Sequence, residues 1–258
     1  MKKIVFLIVL LLAVGWSVGF AAQSRESFTM AAADLKVLKI DCGAGYLKIQ
    51  GVDGLQQIEV SAVLDVEDVA DNELADFKKE FVTLKLEKNS GRAELTAKIE
   101  NDFSLSTLFS GSPDARIDLD VRVPRGLALA IDDGSGDILI RDCDGNLELE
   151  DGSGDIHLTN IKGQVDIEDG SGEITLAKIG GALKIEDGSG DIELEDAGND
   201  VTIDDGSGDM RLQRVLGSVT VDDGSGDIEI DGVEKDVTIE EAGSGGVSIH
   251  NVKGKVRE

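Results

Sequence analysis

Asp133-Gly134-Ser135-Gly136-Asp137 is a five-residue segment that returns every 18 residues along the second half of the chain. Its further copies, with Asp or Glu in the last place, begin at Asp151, Asp169, Asp187, Asp205 and Asp223. A degraded seventh copy, Ala242-Gly243-Ser244-Gly245-Gly246, follows after one inserted residue. A fixed short period of this kind predicts a solenoid, in which each repeat forms one coil stacked on the previous one.

Two apolar-x-apolar patterns lie in each repeat, nine residues apart. In the first repeat they are Ile138 with Ile140 and Leu147 with Leu149. Period-two alternation of Ile, Val and Leu indicates short strands with one buried face. We therefore predict an all-β fold, a two-sheet β-solenoid (β-helix) with 18-residue coils. Each coil would contribute one short strand to each of two parallel sheets around a thin aliphatic core.

The two turns of a coil differ. At one edge, the inward alternation predicts a buried apolar column, here called the apolar edge: Cys143, Ile161, Ile179, Ala197, Val215 and Val233. Two residues further on, the sequence has residues that tolerate positive φ in a tight turn: Gly145, Gly163, Gly181, Asn199 and Gly217. At the opposite edge, the inward position after Leu149 is Asp151.

Three columns of carboxylates line that opposite edge, here called the acidic edge. The inner column is Asp133, Asp151, Asp169, Asp187, Asp205 and Asp223. The flanking columns are Asp132, Glu150, Glu168, Glu186, Asp204 and Asp222 on one side, and Asp137, Asp155, Glu173, Asp191, Asp209 and Asp227 on the other. An Asp that begins a Gly-Ser-Gly turn can accept hydrogen bonds from backbone N–H groups two or three residues on, which predicts a structural role for the inner column.

Metal binding is the alternative role of these carboxylates. Neighbouring coils lie about 4.8 Å apart, and two unit charges at that distance repel by about 0.9 kcal/mol even in water. Splayed side chains, turn N–H groups, raised pKa values or bound cations must offset this repulsion, and calcium is the natural cation. The candidate calcium ligands are Asp133, Asp151, Asp169, Asp187, Asp205, Asp223, Asp137, Asp155, Asp191, Asp209 and Asp227. The register differs from the calcium-binding nonapeptide Gly-Gly-x-Gly-x-Asp, because here Asp follows the second Gly directly.

Composition excludes several classes of function. The chain has 25 Lys and Arg against 52 Asp and Glu, a net charge of −27, so we expect binding neither to nucleic acid nor to an anionic membrane surface. No aromatic residue follows Phe109, so the repeats offer no stacking platform for bases or sugar rings.

Catalysis is also disfavoured. The histidines, His157 and His250, lie far apart in the predicted stack, and neither has a second ligand at zinc spacing or a placement that serves a serine nucleophile. We therefore predict no enzyme and no cofactor other than calcium. A polysaccharide-acting β-helix enzyme is the remote alternative, since stacked Asp pairs resemble the carboxylates of a glycosidase.

The first 21 residues have the features of a secretory signal peptide. Lys2 and Lys3 precede the apolar run Ile4–Val18, and Gly19-Phe20-Ala21 is a small-x-small cleavage site. We expect an exported protein, periplasmic or extracellular, without membrane insertion after cleavage. An uncleaved N-terminal anchor is the alternative, although the apolar run is short for a membrane span.

Residues 22–125 are predicted to form a β-rich capping part, and residues 126–258 the regular solenoid. Within the former, Asp41–Ile49 reproduces the turn and strand of one coil, and an excursion runs from about Ser61 to Arg116. It contains an amphipathic helical stripe of Ala70, Leu74, Phe77 and Phe81. It also contains alternating strands of Val82, Leu84 and Leu86 and of Ala93, Leu95, Ala97 and Ile99, and then a mobile loop from Asn101 to Ala115. Ile117, Leu119, Val121 and Val123 lead back to the coils.

Export permits disulfides, and the chain has two cysteines, Cys42 and Cys143. Packing in the apolar edge explains Cys143 without a covalent bond. A Cys42–Cys143 disulfide would have to join opposite edges of the coil, so two free thiols are favoured.

The signal peptide, an early Gly-x-Gly-x-Leu-x-Ile-x-Gly coil at Gly43–Gly51, an inserted helix and repeated Ser-Gly-Asp-Ile strands together resemble a bacterial family. These are the β-strand-repeat proteins called "putative adhesin", of unknown function and related to the toast-rack domains of envelope-stress proteins. The resemblance covers about residues 28–258 and implies a β-helical fold in the cell envelope without known catalysis.

Two classes of function remain. The leading one is a cell-envelope scaffold or protein-interaction module, and the resemblance implies a connection to envelope stress. The alternative is a calcium-dependent adhesin or surface-binding protein that uses the acidic edge. The partner is an envelope protein or a second copy, which the degraded C-terminal coil at Val247, Ile249, Val252 and Val256 would meet.

Overall fold

The computed structural model describes residues 21–67, 69–100 and 114–258. Within these residues the chain forms two eleven-stranded sheets and one helix. The predicted all-β, two-sheet solenoid with 18-residue coils is confirmed. The signal peptide predicted for residues 1–21 lies, apart from Ala21, outside the described residues. No helix among the residues that the structure describes is both long enough and apolar enough to cross a membrane.

The N-terminal half forms one coil and then extends both sheets on one side of it. Its elements are β1 (Ala21–Ala31), β2 (Val37–Cys42), β3 (Leu47–Val52), β4 (Gln57–Glu67), α1 (Leu74–Phe81), β5 (Val82–Asn89), β6 (Arg92–Ile99) and β7 (Ala115–Pro124). The predicted early coil is β2 and β3. The order β1-β4-β7-β3 begins the first sheet, with antiparallel pairing of β4 to both β1 and β7. The order β5-β6-β2 begins the second sheet, with an antiparallel β5–β6 pair.

The regular coils follow on the other side of β2 and β3. Their strands are β8 (Ala128–Asp133), β9 (Ile138–Arg141), β10 (Leu147–Asp151), β11 (Ile156–Ile161), β12 (Val165–Asp169), β13 (Ile174–Ile179), β14 (Leu183–Asp187), β15 (Ile192–Ala197), β16 (Val201–Asp205), β17 (Met210–Val215), β18 (Val219–Asp223), β19 (Ile228–Val233), β20 (Val237–Glu241), β21 (Val247–Val252) and β22 (Val256–Arg257). Odd-numbered strands from β9 on continue the first sheet, and even-numbered strands from β8 on continue the second. All these pairings are parallel, and Leu147 lies opposite Val165, as the period predicts.

The core is a single apolar layer between the two sheets. The inward residues of each strand, such as Ile156, Leu158, Val165 and Ile167, are at most 2% exposed. The predicted apolar edge is confirmed, because the whole column is equally buried: Cys143, Ile161, Ile179, Ala197, Val215 and Val233. Burial of several aliphatic side chains per coil, at roughly 1.5–3 kcal/mol each, stabilises every coil against its neighbours.

The predicted positions of positive φ at the apolar edge are wrong. They do not fall at Gly145, Gly163, Gly181, Asn199 and Gly217 but three residues earlier, at Asp142, Asn160, Lys178, Asp196 and Arg214, where φ is 56–64°. Glycine is needed at Gly145 for a different reason. A Cβ there would lie 2.4 Å from the carbonyl oxygen of Leu127 in the preceding coil. Close backbone approach between coils, rather than turn handedness, selects glycine at this position.

The predicted excursion between the early coil and the regular coils is present with shifted limits. β4 begins at Gln57, before Ser61, and α1 begins at Leu74, because Ala70 lies in a preceding turn whose carbonyl accepts hydrogen bonds from Glu73 N and Leu74 N. Leu74, Phe77 and Phe81 form the buried stripe of the helix. Residues 101–113 of the predicted mobile loop lie outside the described residues, and Ala115 belongs to β7.

Both cysteines are free thiols, buried at opposite edges of the solenoid. Cys143 occupies the apolar edge, and burial raises the pKa of its thiol to about 11.

We expect Cys143→Val to change the free energy of unfolding by less than about 1 kcal/mol, because swaps that conserve volume in a core are tolerated. Chemical denaturation of both proteins measures this. A loss of several kcal/mol, or a similar loss when wild type is treated with a reductant, would show that the thiol has a bonding role.

Candidate functional site

The inner aspartate column lies at the acidic edge, where each strand of the second sheet ends. Parallel register sets Asp151 opposite Asp133 on one side and opposite Asp169 on the other, and the same pairing continues to Asp223. All six side chains point inward and are only 1–7% exposed. The sequence alternation thus placed these carboxyl groups correctly, inside the edge of the core.

One oxygen of each inner carboxyl group has a backbone partner. In the five coils from Asp151 to Asp223, the Oδ1 atom accepts a hydrogen bond from the serine N–H two residues on, at 2.9–3.2 Å. In the coil before them, Asp133 Oδ1 accepts a hydrogen bond from Gly134 N at 2.9 Å. These bonds close the Asp-Gly-Ser-Gly turn. The predicted structural role of the inner column is therefore visible in the structure.

The other oxygen has no partner. Oδ2 of Asp133, Asp151, Asp169, Asp187, Asp205 and Asp223 is buried and makes no hydrogen bond in the structure. None of the ion pairs in the described part of the chain involves any of these six residues either. A buried anionic oxygen without a donor from the protein is costly, and the same arrangement is repeated in six consecutive coils.

The environment disfavours the charged form of these acids. Burial, followed by the charges of Asp133 and Asp169, raises the pKa of Asp151 to about 7. Burial is also the largest cause for Asp133 and Asp187, whose pKa values rise to about 6, and for Asp205, whose pKa rises to about 7. Burial raises the pKa of Asp169 and Asp223 as well. Backbone N–H groups lower these pKa values, but they do not cancel the effect of burial.

The outer column that begins at Asp137 is organised differently. These side chains are exposed, and several of them accept a hydrogen bond from the backbone N–H of the equivalent residue in the next coil. The acceptors are Asp137, Asp155, Asp191, Asp209 and Asp227, with Oδ1–N distances of 2.7–3.3 Å. Glu173 breaks the series, since its carboxylate accepts from Thr175 Oγ1 at 2.9 Å. Backbone N–H groups thus offset part of the repulsion along this column.

Cys42 is the residue of the early coil that stands in the inner column. Asp41 lies opposite Asp132, so Cys42 lies opposite Asp133. Burial, and then the charge of Asp133, raise the pKa of the Cys42 thiol far above its usual range. The thiol is therefore neutral, and the column begins with an uncharged group.

Calcium is the cation that the sequence predicts for these carboxylates. The structure brings the predicted ligands to one edge, the inner set buried and the outer set exposed. Among the residues that the structure describes, no group of three or more His, Cys, Asp or Glu side chains is arranged to hold a metal ion. Calcium prefers six to eight oxygen ligands, so a site here would require side-chain rearrangement.

Two shallow depressions lie on the outer face of the antiparallel part of the first sheet, which the sequence did not indicate as a site. One, of about 370 Å³, includes Tyr46, Lys48 and Asp120 in its lining. The other, of about 230 Å³, lies beside it around Glu59 and Arg122. Lys48 pairs with Asp120, and Arg122 pairs with Glu59, so these charged side chains are engaged with one another rather than directed at a common point.

The repeated turns, the early coil and the excursion occupy most of the chain, and residues 78–198 and 180–257 match the model of the Toastrack DUF4097 family. The chain belongs to this family. The Toastrack assignment agrees with the two-sheet solenoid, and it brings no catalytic annotation with it. No curated protein matches the chain.

Three solved structures that the chain resembles are described as adhesins or cell adhesion proteins. A "putative adhesin" from Parabacteroides distasonis is 16% identical over 91% of this chain and 97% of its own, with a TM-score of 0.48. A "putative adhesin" from Bacteroides fragilis is 10% identical over 91% and 96%, with a TM-score of 0.40. A "putative cell adhesion protein" from Clostridium sporogenes is 13% identical over 91% and 98%, with a TM-score of 0.32.

Proposed function

We propose that this Toastrack protein is a non-catalytic, exported β-solenoid that acts in the cell envelope as a scaffold or protein-interaction module. The observation that carries the proposal is the uniform stack of coils. From β8 to β20 the core is filled by aliphatic side chains, and the variable residues point outward from two continuous sheet faces. Such faces suit contact with another macromolecule rather than enclosure of a small substrate.

The placement of the carboxylates supports the absence of catalysis. A glycosidase needs two carboxyl groups that reach the scissile bond from opposite sides. The inner aspartates are at most 7% exposed, and their Oδ1 atoms are held by the turn backbone. The exposed outer aspartates are held by N–H groups of the next coil. These two columns are therefore not free to serve a polysaccharide-acting enzyme, and only the column from Asp132 to Asp222 leaves that remote alternative open.

Charge indicates the kind of partner. The net charge of −27 favours a partner with a basic surface and speeds its association at low salt. The outward face of the second sheet carries much of this charge, including Glu148, Glu150 and Glu168, all exposed. A second copy is the other partner considered, through the coil of β21 and β22, where Val247 and Val256 are 38% and 45% exposed.

Site-specific photocrosslinking in cells tests the interaction function. A photoreactive residue at Thr202, exposed on β16, is expected to give one discrete adduct, whereas the same residue at the adjacent buried Ile203 is a matched control that should give none. A third position, Glu193 on the opposite sheet, identifies the face used. Adducts absent from both faces would contradict the proposal. Sedimentation velocity of chains with and without residues 247–258 shows whether any adduct is a second copy.

Export is part of the proposal and has its own test. Cleavage after Ala21 would leave Ala22 as the first residue of the mature chain, and β1 spans this site. Fractionation followed by intact mass measurement is expected to find the shortened chain outside the cytoplasm. Full-length protein confined to the cytoplasm would contradict an envelope function. A deletion strain with an envelope-stress reporter then tests the link to stress that the family resemblance implies.

The second candidate function is a calcium-dependent adhesin, favoured by the buried oxygens of the inner column that have no partner. Calcium titration monitored by calorimetry and by the melting temperature separates the two functions. A scaffold with an acidic edge is expected to show only screening, with equal stabilisation by calcium and magnesium at equal ionic strength. Saturable binding specific to calcium, with a rise in melting temperature that depends on its concentration, would instead establish the adhesin.

A further inference from the structure

The inner aspartate column poses a chemical problem that its turn bonds do not solve. Each Oδ1 is satisfied by a backbone N–H, but each Oδ2 is buried without a donor, and this arrangement repeats in six consecutive coils. Six adjacent buried anions would be strongly unfavourable, because each lacks a compensating charge and faces a like charge in the next coil. An additional species must therefore satisfy these oxygens.

The groups that face the column supply no positive charge. Besides their neighbours in the column, the inner aspartates face Asp132 and Asp222 from the same strands, and Asp155, Asp191 and Asp209 from the outer column. At the early coil the facing group is the neutral Cys42 thiol. Every charged group that acts on the column is thus acidic, and the Cys42 thiol, which hydrogen-bonds to Asp133 at the end of the column, is neutral.

A proton fits this site better than a metal ion. Calcium requires several oxygens converging on one point, and no such group of three or more side chains is present among the described residues. A proton needs two oxygens only. Neighbouring coils lie about 4.8 Å apart, and each coil carries one inner carboxyl group. The two oxygens of a carboxyl group lie side by side and span part of this distance. The remaining gap to an oxygen of the next carboxyl group is then close to the length of an O–H···O⁻ hydrogen bond, about 2.5–2.7 Å.

We propose that the inner column Asp133–Asp223 is a proton-binding ladder, in which carboxylic acids donate their O–H to carboxyl oxygens of adjacent coils. The protons come from solvent and return to it, so uptake changes only the charge of the column. Raised pKa values throughout the column agree with this ladder. Stacked side-chain amides of Asn and Gln stabilise other β-assemblies through the same kind of interaction between neighbours.

The ladder makes stability depend on pH with a definite sign. Folding raises the pKa values of the inner aspartates, to about 6 for Asp133 and Asp187 and to about 7 for Asp151 and Asp205. The native state therefore binds more protons than the unfolded state between about pH 4 and pH 7. The free energy of unfolding contributed by the ladder is therefore complete below pH 4 and is lost as the pH rises through this interval. Above it, the column carries its full charge and the coils repel.

Asp169→Asn tests the ladder directly, because asparagine reproduces the neutral acid. Its Oδ1 can still accept from Ser171 N, and its amide can donate to a neighbouring carboxyl group. The matched control is Glu168→Gln, which removes one charge from the exposed adjacent position of the same strand. At pH 8, Asp169→Asn is expected to raise the melting temperature by at least about 3 °C relative to the control. The difference should shrink as the pH falls, because folding raises the pKa of the wild-type acid, which then gains the proton that asparagine mimics.

Equal melting temperatures of the two variants across pH 5–8 would overturn the ladder, since Asp169 would then act as an ordinary surface charge. Proton counting gives a second test that does not depend on a variant. Between pH 8 and pH 5 the folded wild type should take up more protons than the urea-unfolded chain, and Asp169→Asn should take up fewer. If calcium at pH 8 removes the difference between wild type and Asp169→Asn and magnesium at equal ionic strength does not, the occupant is a specific cation and the proposal is wrong.

Discussion

Replacing Gly172 with alanine is expected to lower the free energy of unfolding by at least about 3 kcal/mol. Gly172 has a φ of 145°, in a region that L-residues rarely adopt, and a Cβ there would lie 1.9 Å from the carbonyl oxygen of Gly154 in the preceding coil. Neither strain can relax locally, because the neighbouring coils fix the turn on both sides. Urea denaturation followed by circular dichroism measures the loss.

Gly43→Ala is the matched control, because Gly43 occupies the corresponding kind of turn in the early coil and a Cβ there would meet no heavy atom within 4 Å. We expect this variant to unfold within about 0.5 kcal/mol of wild type. Equal destabilisation of the two variants, or a mild effect at Gly172, would mean that the coils are not packed backbone to backbone at this edge.

Removal of one whole coil is expected to leave a folded protein, whereas removal of one further residue should not. Deleting residues 170–187 joins Asp169 to Gly188 and keeps every column in phase, so the loss should be limited to the contribution of one coil. Deleting residues 170–188 shortens the turn and shifts the following strands by one residue, which turns their apolar side chains outward. Thermal melting and limited proteolysis compare the two.

The shorter deletion should melt cooperatively, and the longer one should show early melting and cleavage after the junction. Removing one residue is a stronger test than inserting one, because the native chain already accommodates one extra residue. This residue lies where the register between β18 and β20 shifts after Val221. A cooperative, protease-resistant fold for both deletions would contradict a stack held in register by its 18-residue period.

The regular part of the fold could be predicted because one pattern is repeated many times. Each copy has apolar residues at the same inward positions. Three predictions therefore support one another: the alternation at Ile156 and Leu158, the apolar edge at Ile161 and the inward direction of Asp151. The same uniformity predicted the parallel pairing, since only equal coil lengths keep such columns aligned.

β1 could not be recognised from its sequence for a physical reason. Its inward positions include Ser24 and Glu26 between the apolar Ala22 and Phe28, so the alternation that marks a strand is interrupted. Glu26 is tolerated there because Lys78 of α1 pairs with it. A contact between elements far apart in the chain thus replaces the local signal.

The chemistry of the acidic edge was only half visible in the sequence. Turn composition predicted that Asp151 accepts a backbone N–H, but the lack of any donor to its second oxygen depends on the exact path of neighbouring coils. The same holds for positive φ at Asp142 and for the close approach at Gly145, since sequence composition alone does not separate these two uses of a tight turn.

Direct titration of the aspartate carboxyl groups tests the central claim, that the inner column of this Toastrack solenoid holds protons at pH values well above the ordinary range of aspartate. Carbon-detected NMR of protein labelled at the aspartate carboxyl carbon follows each group from pH 3 to pH 9, and single Asp→Asn variants assign the signals. The account predicts midpoints near pH 7 for Asp151 and Asp205 and near pH 6 for Asp133 and Asp187, with those of Asp169 and Asp223 also raised above the ordinary aspartate range. Midpoints at or below about 4 for every aspartate, the range of an ordinary exposed carboxyl group, would contradict it.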